Sequence, residues 1–169
     1  CKNYTHQTRY QLPIPPSPNL PNMKSIYLYP STCFFEATPV SLGRGTSLPF
    51  QVYGHPNMTG YNYSFTPRSI PGAKNPPQLN KLCHGVDLSN MSDEEIWKRG
   101  VDLTYVIDAY RNLNLDDHFF RPFFELLVGR DYVRKMIKEG KSADEIKAMW
   151  KGDVEKFKAQ RKPYLLYEE

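Results

Sequence analysis

Thirteen of the fifteen prolines fall before residue 78, and this asymmetry limits the fold more than any other feature of the chain. Proline fixes φ, donates no backbone hydrogen bond and pushes the residue before it toward extended geometry, so long helices and central strands are both disfavoured where it recurs. The first half is therefore expected to consist of short strands separated by turns and irregular loops. Residues 25–29, 50–54, 61–66 and 83–88 concentrate aromatic and β-branched side chains and read as those strands. Residues 31–37 read as a short helix that sends Phe34 and Phe35 into the core.

The character changes at Ser92-Asp93-Glu94-Glu95, a capping box in which a hydroxyl and a carboxylate satisfy free amides at a helix start. Ile96, Gly100, Leu103 and Ile107 follow at three-to-four spacing, which predicts one long helix to about residue 112 with its apolar face over the sheet. Further helices are expected over 123–128, closed by Gly129, and over 131–138, closed by Gly140. Ser142-Ala143-Asp144-Glu145 repeats the capping box before a helix at 146–150, and a last helix runs to about Arg161. Strands first and helices second make an α+β pattern: a Pro-rich, short-stranded, barrel-like β region (1–91), then helices packed against it (92–169). A chain of 169 residues, 40% hydrophobic, is long enough to bury one compact core, so a single domain is expected. Its opening residues read as the middle of a structure, which predicts a piece of a longer protein.

Charge and composition exclude several functions. Residues 1–91 carry seven Lys or Arg against Glu36 and Asp87 alone, an excess that favours an anionic ligand. The basic residues form no cluster interleaved with stacking aromatics, so nucleic acid is a poor partner. No run approaches the roughly twenty apolar residues of a membrane span. Cys1, Cys33 and Cys83 are odd in number and contain no CxxC pair, which argues against zinc and a disulfide framework and for buried free thiols. His55, His84 and His118 lack ligand spacing and read as structural residues, so no metal and no cofactor are predicted. Asn3, Asn57, Asn62 and Asn90 open glycosylation sequons of the kind that chance produces in an Asn-rich surface.

The densest polar constellation is Glu36 with the loop Gly43-Arg44-Gly45-Thr46. Flanking glycines let a backbone turn sharply against a ligand, and a guanidinium offers a planar bidentate donor suited to a carboxylate. Spacing leaves two readings open: a binding site, or an Arg44–Glu36 ion pair that pins a turn. Glycosidases work with paired carboxylates, and the first half offers only Glu36 and Asp87, so the chain by itself is catalytically short.

Several strings in register carry a resemblance: Pro15-Pro16-Ser17-Pro18-Asn19-Leu20-Pro21, then Tyr29-Pro30-Ser31-Thr32-Cys33-Phe34-Phe35-Glu36-Ala37-Thr38, then Gly43-Arg44-Gly45-Thr46 and Pro49-Phe50. It continues through Gly54-His55-Pro56, Cys83-His84-Gly85-Val86, Phe123-Phe124-Glu125-Leu126-Leu127-Val128-Gly129 and Tyr164-Leu165-Leu166-Tyr167. The chain resembles the C-terminal domain of the exo-β-N-acetylmuramidase family of glycoside hydrolases. The resemblance implies a two-domain enzyme in which a Rossmann-like N-terminal domain, absent from these residues, faces the C-terminal one across a substrate cleft. The family's proposed catalytic glutamate would lie in that absent domain, leaving Glu36 as an assisting carboxylate. Glu36, Gly43, Arg44, Gly45 and Thr46 would face the cleft, with Ser17, Asn19 and Phe50 shaping it. The implied reaction is release of terminal N-acetylmuramic acid (MurNAc) from the non-reducing end of peptidoglycan fragments, in the periplasm or outside the cell, without a cofactor. Ala37 and His55 stand where the family commonly has Gly and Ala, and residues 39–42 replace a usual acidic stretch, which implies an altered substrate preference.

Overall fold

A computed structural model describes residues 3–5 and 7–167. Cys1 lies outside the described residues. Helix α1 (Met23–Thr32) leads through a 3-10 turn (Cys33–Ala37) to three short strands, β1 (Val52–His55), β2 (Tyr63–Phe65) and β3 (Cys83–Asp87). Five helices follow: α2 (Asp93–Arg99), α3 (Thr104–Leu113), α4 (Phe124–Val128), α5 (Tyr132–Lys138) and α6 (Ala143–Arg161). The fold mixes helix with a small antiparallel sheet of order β1-β3-β2, in which Tyr53 pairs with Val86 and Ser64 with His84. The sheet is open, and the described residues form no closed barrel, so the barrel-like expectation narrows to three strands with Ser41 bridging to Gly54 at one edge.

The first half is not purely strand and loop, because residues 25–29 are helical. Asn22 caps α1: its side chain accepts from the Ser25 amide at 2.9 Å, and the Ser25 hydroxyl donates back to the Asn22 carbonyl at 2.7 Å. Ser25, Leu28 and Thr32 are then buried at helical spacing. The apolar period decided the conformation over the β preference of Ile26, Tyr27 and Tyr29. Pro30 is accommodated inside the helix and is exposed there. The adjoining 3-10 turn buries Phe34 and Phe35 as expected.

The predicted long helix is two. The chain turns at Gly100 (φ 60°), and Asp102 restarts it by accepting the Thr104 amide at 2.8 Å. The Ser31 hydroxyl fastens this break to α1, donating to the Gly100 carbonyl at 3.1 Å and accepting from the Asp102 amide at 2.9 Å. Ser92 caps α2, but Glu95 does not complete the box because its carboxylate pairs with Arg99 at 2.8 Å. The two segments expected beyond residue 143 are instead one helix, α6, begun by a complete Ser142–Glu145 capping box and running through Gly152. Helix α4 ends at Gly129 as predicted.

One apolar cluster joins both halves, from Leu28 and Phe35 through Tyr53 and Val106 to Phe124, Ile137 and Ile146. Helix α3 is tied over the sheet by a carboxylate that serves two phenols: the Tyr53 and Tyr61 hydroxyls donate to Asp108 Oδ2 at 2.8 and 2.7 Å. Burial, and that carboxylate beside them, push both phenols well above their ordinary range, so both stay protonated donors.

Candidate functional site

Helix α1 and its 3-10 continuation place Tyr29, Cys33 and Glu36 in succession on one face, as spacings of four and three residues require. The loop from Leu42 to Phe50 lies across them. Gly43 sits at φ 78°, and a Cβ there would come within 2.4 Å of the Leu48 carbonyl oxygen. The Thr46 hydroxyl closes the same turn, donating to the Gly43 carbonyl at 2.7 Å and accepting from the Leu48 amide at 3.0 Å. Behind the loop, Gly45 packs so closely on the Arg68 backbone that a Cβ would fall 2.4 Å from its carbonyl oxygen, while the Arg68 amide donates to the Gly45 carbonyl at 2.8 Å. Phe50 holds a left-handed backbone (φ 59°) that is strained for an aromatic residue. Its amide donates to the Leu42 carbonyl at 2.7 Å, the Thr32 hydroxyl reaches its carbonyl at 3.3 Å, and its ring meets Tyr29 at 5.0 Å.

This framework presents Arg44 beside Glu36. Burial pushes the Glu36 carboxyl above its ordinary range, against the opposing pull of the Arg44 charge. The two sense one another without closing an ion pair within 4.0 Å. The turn-pinning ion pair allowed by spacing is therefore not what these side chains form. Arg44 Nε is buried with no hydrogen-bond partner. Gln51 Nε2 and Arg134 Nε are unpartnered in the same way, so what sets Arg44 apart is its place on the braced loop beside Glu36. Burial and the nearby carboxylate also raise the Cys33 thiol to about 11 and the Tyr29 phenol above its usual range. At neutral pH the Tyr29 phenol and the Cys33 thiol are therefore neutral donors near one guanidinium, a setting suited to an anionic, hydroxyl-bearing ligand.

Of the residues singled out from sequence, Glu36, Gly43, Arg44, Gly45, Thr46 and Phe50 come together. Gly43, Gly45 and Thr46 shape the loop. Phe50 is buried under Tyr29. Ser17 and Asn19 brace a neighbouring segment: the Ser17 hydroxyl accepts the Asn19 amide at 3.2 Å, and the Asn19 side-chain amide donates to the Gly72 carbonyl at 2.9 Å. Tyr29 and Cys33 were missed as site residues, and the helical spacing from Tyr29 to Glu36 is the signal that would have found them. Asp87 accepts the Ser89 amide at 2.8 Å and Asn90 at 3.4 Å, so it serves a turn. Among the described residues, no three His, Cys, Asp or Glu side chains gather as a metal site. Cys33 and Cys83 are free thiols, and no helix is long and apolar enough to cross a membrane.

The family model for the C-terminal part of exo-β-N-acetylmuramidase NamZ matches residues 27–167, well over half of the chain. The chain belongs to this family. Among curated proteins it is 33% identical over 167 residues to the peptidoglycan β-N-acetylmuramidase NamZ of Bacillus subtilis (strain 168), an alignment covering 90% of this chain and 40% of that protein. A crystal structure of a DUF1343 family protein from Bacteroides fragilis matches with a TM-score of 0.97 and 83% identity, over 99% of this chain and 48% of that one. A second such protein from the same organism shares the fold at a TM-score of 0.68 and 20% identity, over 97% of this chain and 48% of that one. The chain thus spans about half the length of the relatives it matches or less. Both the Glu36 face and the Gly43–Thr46 loop lie inside the stretch matched by the NamZ model.

Proposed function

We propose that this chain is the cleft-completing C-terminal part of an exo-β-N-acetylmuramidase that releases terminal MurNAc from the non-reducing end of peptidoglycan fragments, in the periplasm or outside the cell, during cell-wall turnover. Its partner in that role is a Rossmann-like N-terminal domain that carries the catalytic glutamate. The observation that carries the reading is the placement of Arg44: a guanidinium on a loop braced by Gly43, Gly45 and Thr46, beside a carboxyl that burial inclines toward its protonated form. A MurNAc residue differs from its N-acetylglucosamine neighbour by a lactyl ether ending in a carboxylate. Arg44 suits that carboxylate, and Glu36 suits a sugar hydroxyl or acetamide. With Asp87 committed to a turn, residues 1–91 offer no second carboxylate to accompany Glu36, which fits binding and orientation here and bond cleavage on the partner domain.

The test is release of MurNAc from a MurNAc-GlcNAc disaccharide by the full-length protein. A hydrogen bond to a charged group is worth about 1.5–3 kcal/mol, so Arg44→Ala is expected to raise KM by about 10- to 100-fold. Arg44→Lys is expected to rescue little, because an ammonium cannot reproduce the planar fork. An unchanged KM in Arg44→Ala rejects the role. A full-length protein that binds the disaccharide without cleaving it establishes the alternative, a non-catalytic glycan-binding module.

A further inference from the structure

Among the described residues, the apolar surface on α6 and the tail is left mostly uncovered. Along α6, Ile146 is the single buried residue, although Trp150, Val154 and Phe157 continue its stripe at helical spacing. Between that stripe and the body of the protein runs a cleft of about 630 Å³, floored by Phe34, Val101 and Leu127. A second cleft of about 260 Å³ against Trp97 meets the first at Pro30 and Val101, so the apolar surface is continuous. Beyond the helix, Tyr164 is 82% and Leu166 90% exposed, and Phe157 on the stripe is 60% exposed. A contiguous apolar surface of this kind marks an interface that has lost its partner.

Three observations select the occupant. The family match extends to residue 167, so an apolar tail that is left largely exposed here belongs to the pattern the family shares. The relatives carry about as much chain again, and the match is to their C-terminal part. The start of the described chain lies against this same surface: Tyr4 meets Tyr167 at 6.4 Å between ring centres, and the Arg9 guanidinium sits 3.6 Å over the Trp97 ring.

We propose that the α6 stripe, the cleft beneath it and the 164–166 tail are the seat of the N-terminal half of the protein. The inference rests on the two-part reading of function and adds where the halves are joined. Pro30 and Cys33 line the cleft on the helix that also carries Tyr29, so the half seated there is fixed next to the Arg44 face. Its docking would set the width of the substrate cleft.

The test is thiol labelling of the full-length protein carrying Phe157→Cys, Leu166→Cys or, on an exposed flank of α6 outside the cleft lining, Lys156→Cys, with rates read site by site by mass spectrometry. Phe157→Cys and Leu166→Cys are expected to label at least tenfold more slowly than Lys156→Cys, at every protein concentration. Equal rates overturn the proposal. Protection that disappears on dilution to a monomer also overturns it, because the occupant is then a second copy. If Phe157→Cys fails to fold, Leu166→Cys, which lies outside every helix, carries the test alone. Labelling needs no substrate, so its outcome is independent of whether Arg44 binds MurNAc.

Discussion

In residues 41–55 most side chains are buried, both glycines of the Arg44 loop are pressed against backbone, and hydroxyls of Thr32 and Thr46 fill the carbonyls that the turns leave open. In α6, which is longer, one residue is buried, and the rest of its apolar stripe looks across an open cleft. The first region is finished by its own chain and the second is not. The contrast separates two tasks. A binding wall must hold its guanidinium in place before the ligand arrives, since order imposed on binding is subtracted from affinity. A docking surface needs only a stable helix and an exposed apolar stripe, and the partner supplies the burial.

The largest effect should come from the finished region. Gly43→Ala forces a left-handed backbone on an L-residue, at about 1–2 kcal/mol, and drives a methyl into the Leu48 carbonyl, at about 1–3 kcal/mol for overpacking. We expect a loss of about 2–5 kcal/mol in urea unfolding, with Arg44 displaced. A loss below about 1 kcal/mol would mean that the loop adjusts freely, and the contrast with α6 would collapse.

Two substitutions within α6 sharpen the same comparison. Ile146→Ala removes a fully buried side chain and should cost about 2–4 kcal/mol. Phe157→Ala, three turns on along the same stripe, should change the stability of the 169-residue chain by no more than about 0.5 kcal/mol, as surface substitutions do. Comparable costs in thermal or urea unfolding would show that the cleft is closed in solution and that α6 is packed along its length.

What the sequence revealed follows the same division. The short strands at 50–54, 61–66 and 83–88 were legible because turn residues bound them and their side chains share one small sheet. The Glu36 and Gly43–Thr46 constellation was legible because glycines flanking an arginine have few other uses. Helix α1 was not: its aromatic residues and Pro30 argue for a strand locally, and only the Asn22–Ser25 cap and the burial of Leu28 under the loop reverse that preference. The break at Gly100 was hidden because the apolar spacing continues across it; Ser31, distant in sequence, holds the two segments apart. At α1 a local cap outweighed residue preference, and at Gly100 a contact distant in sequence did. Tyr29 and Cys33 went unnoticed as neighbours of Glu36 because residues 25–29 read as a strand, which hides their helical spacing.

The smallest effect tests whether the finished wall is built for a ligand at some expense to the fold. The folded protein raises the Glu36 carboxyl above its unfolded value, so it binds that proton more tightly than the unfolded chain does. The contribution to stability is fully present below the unfolded carboxyl pKa and is lost as pH rises through the raised one, where the ionised group is held partly out of water. Glu36→Gln does not titrate. Its melting temperature relative to the parent should therefore climb as pH rises from the ordinary carboxyl range through the raised pKa and level off above it, while MurNAc release falls. A difference that runs the other way, with Gln costing more stability at neutral than at acid pH, would mean that attraction to Arg44 outweighs burial. The two side chains would then be a structural pair, and the wall would be finished for the fold rather than for the sugar.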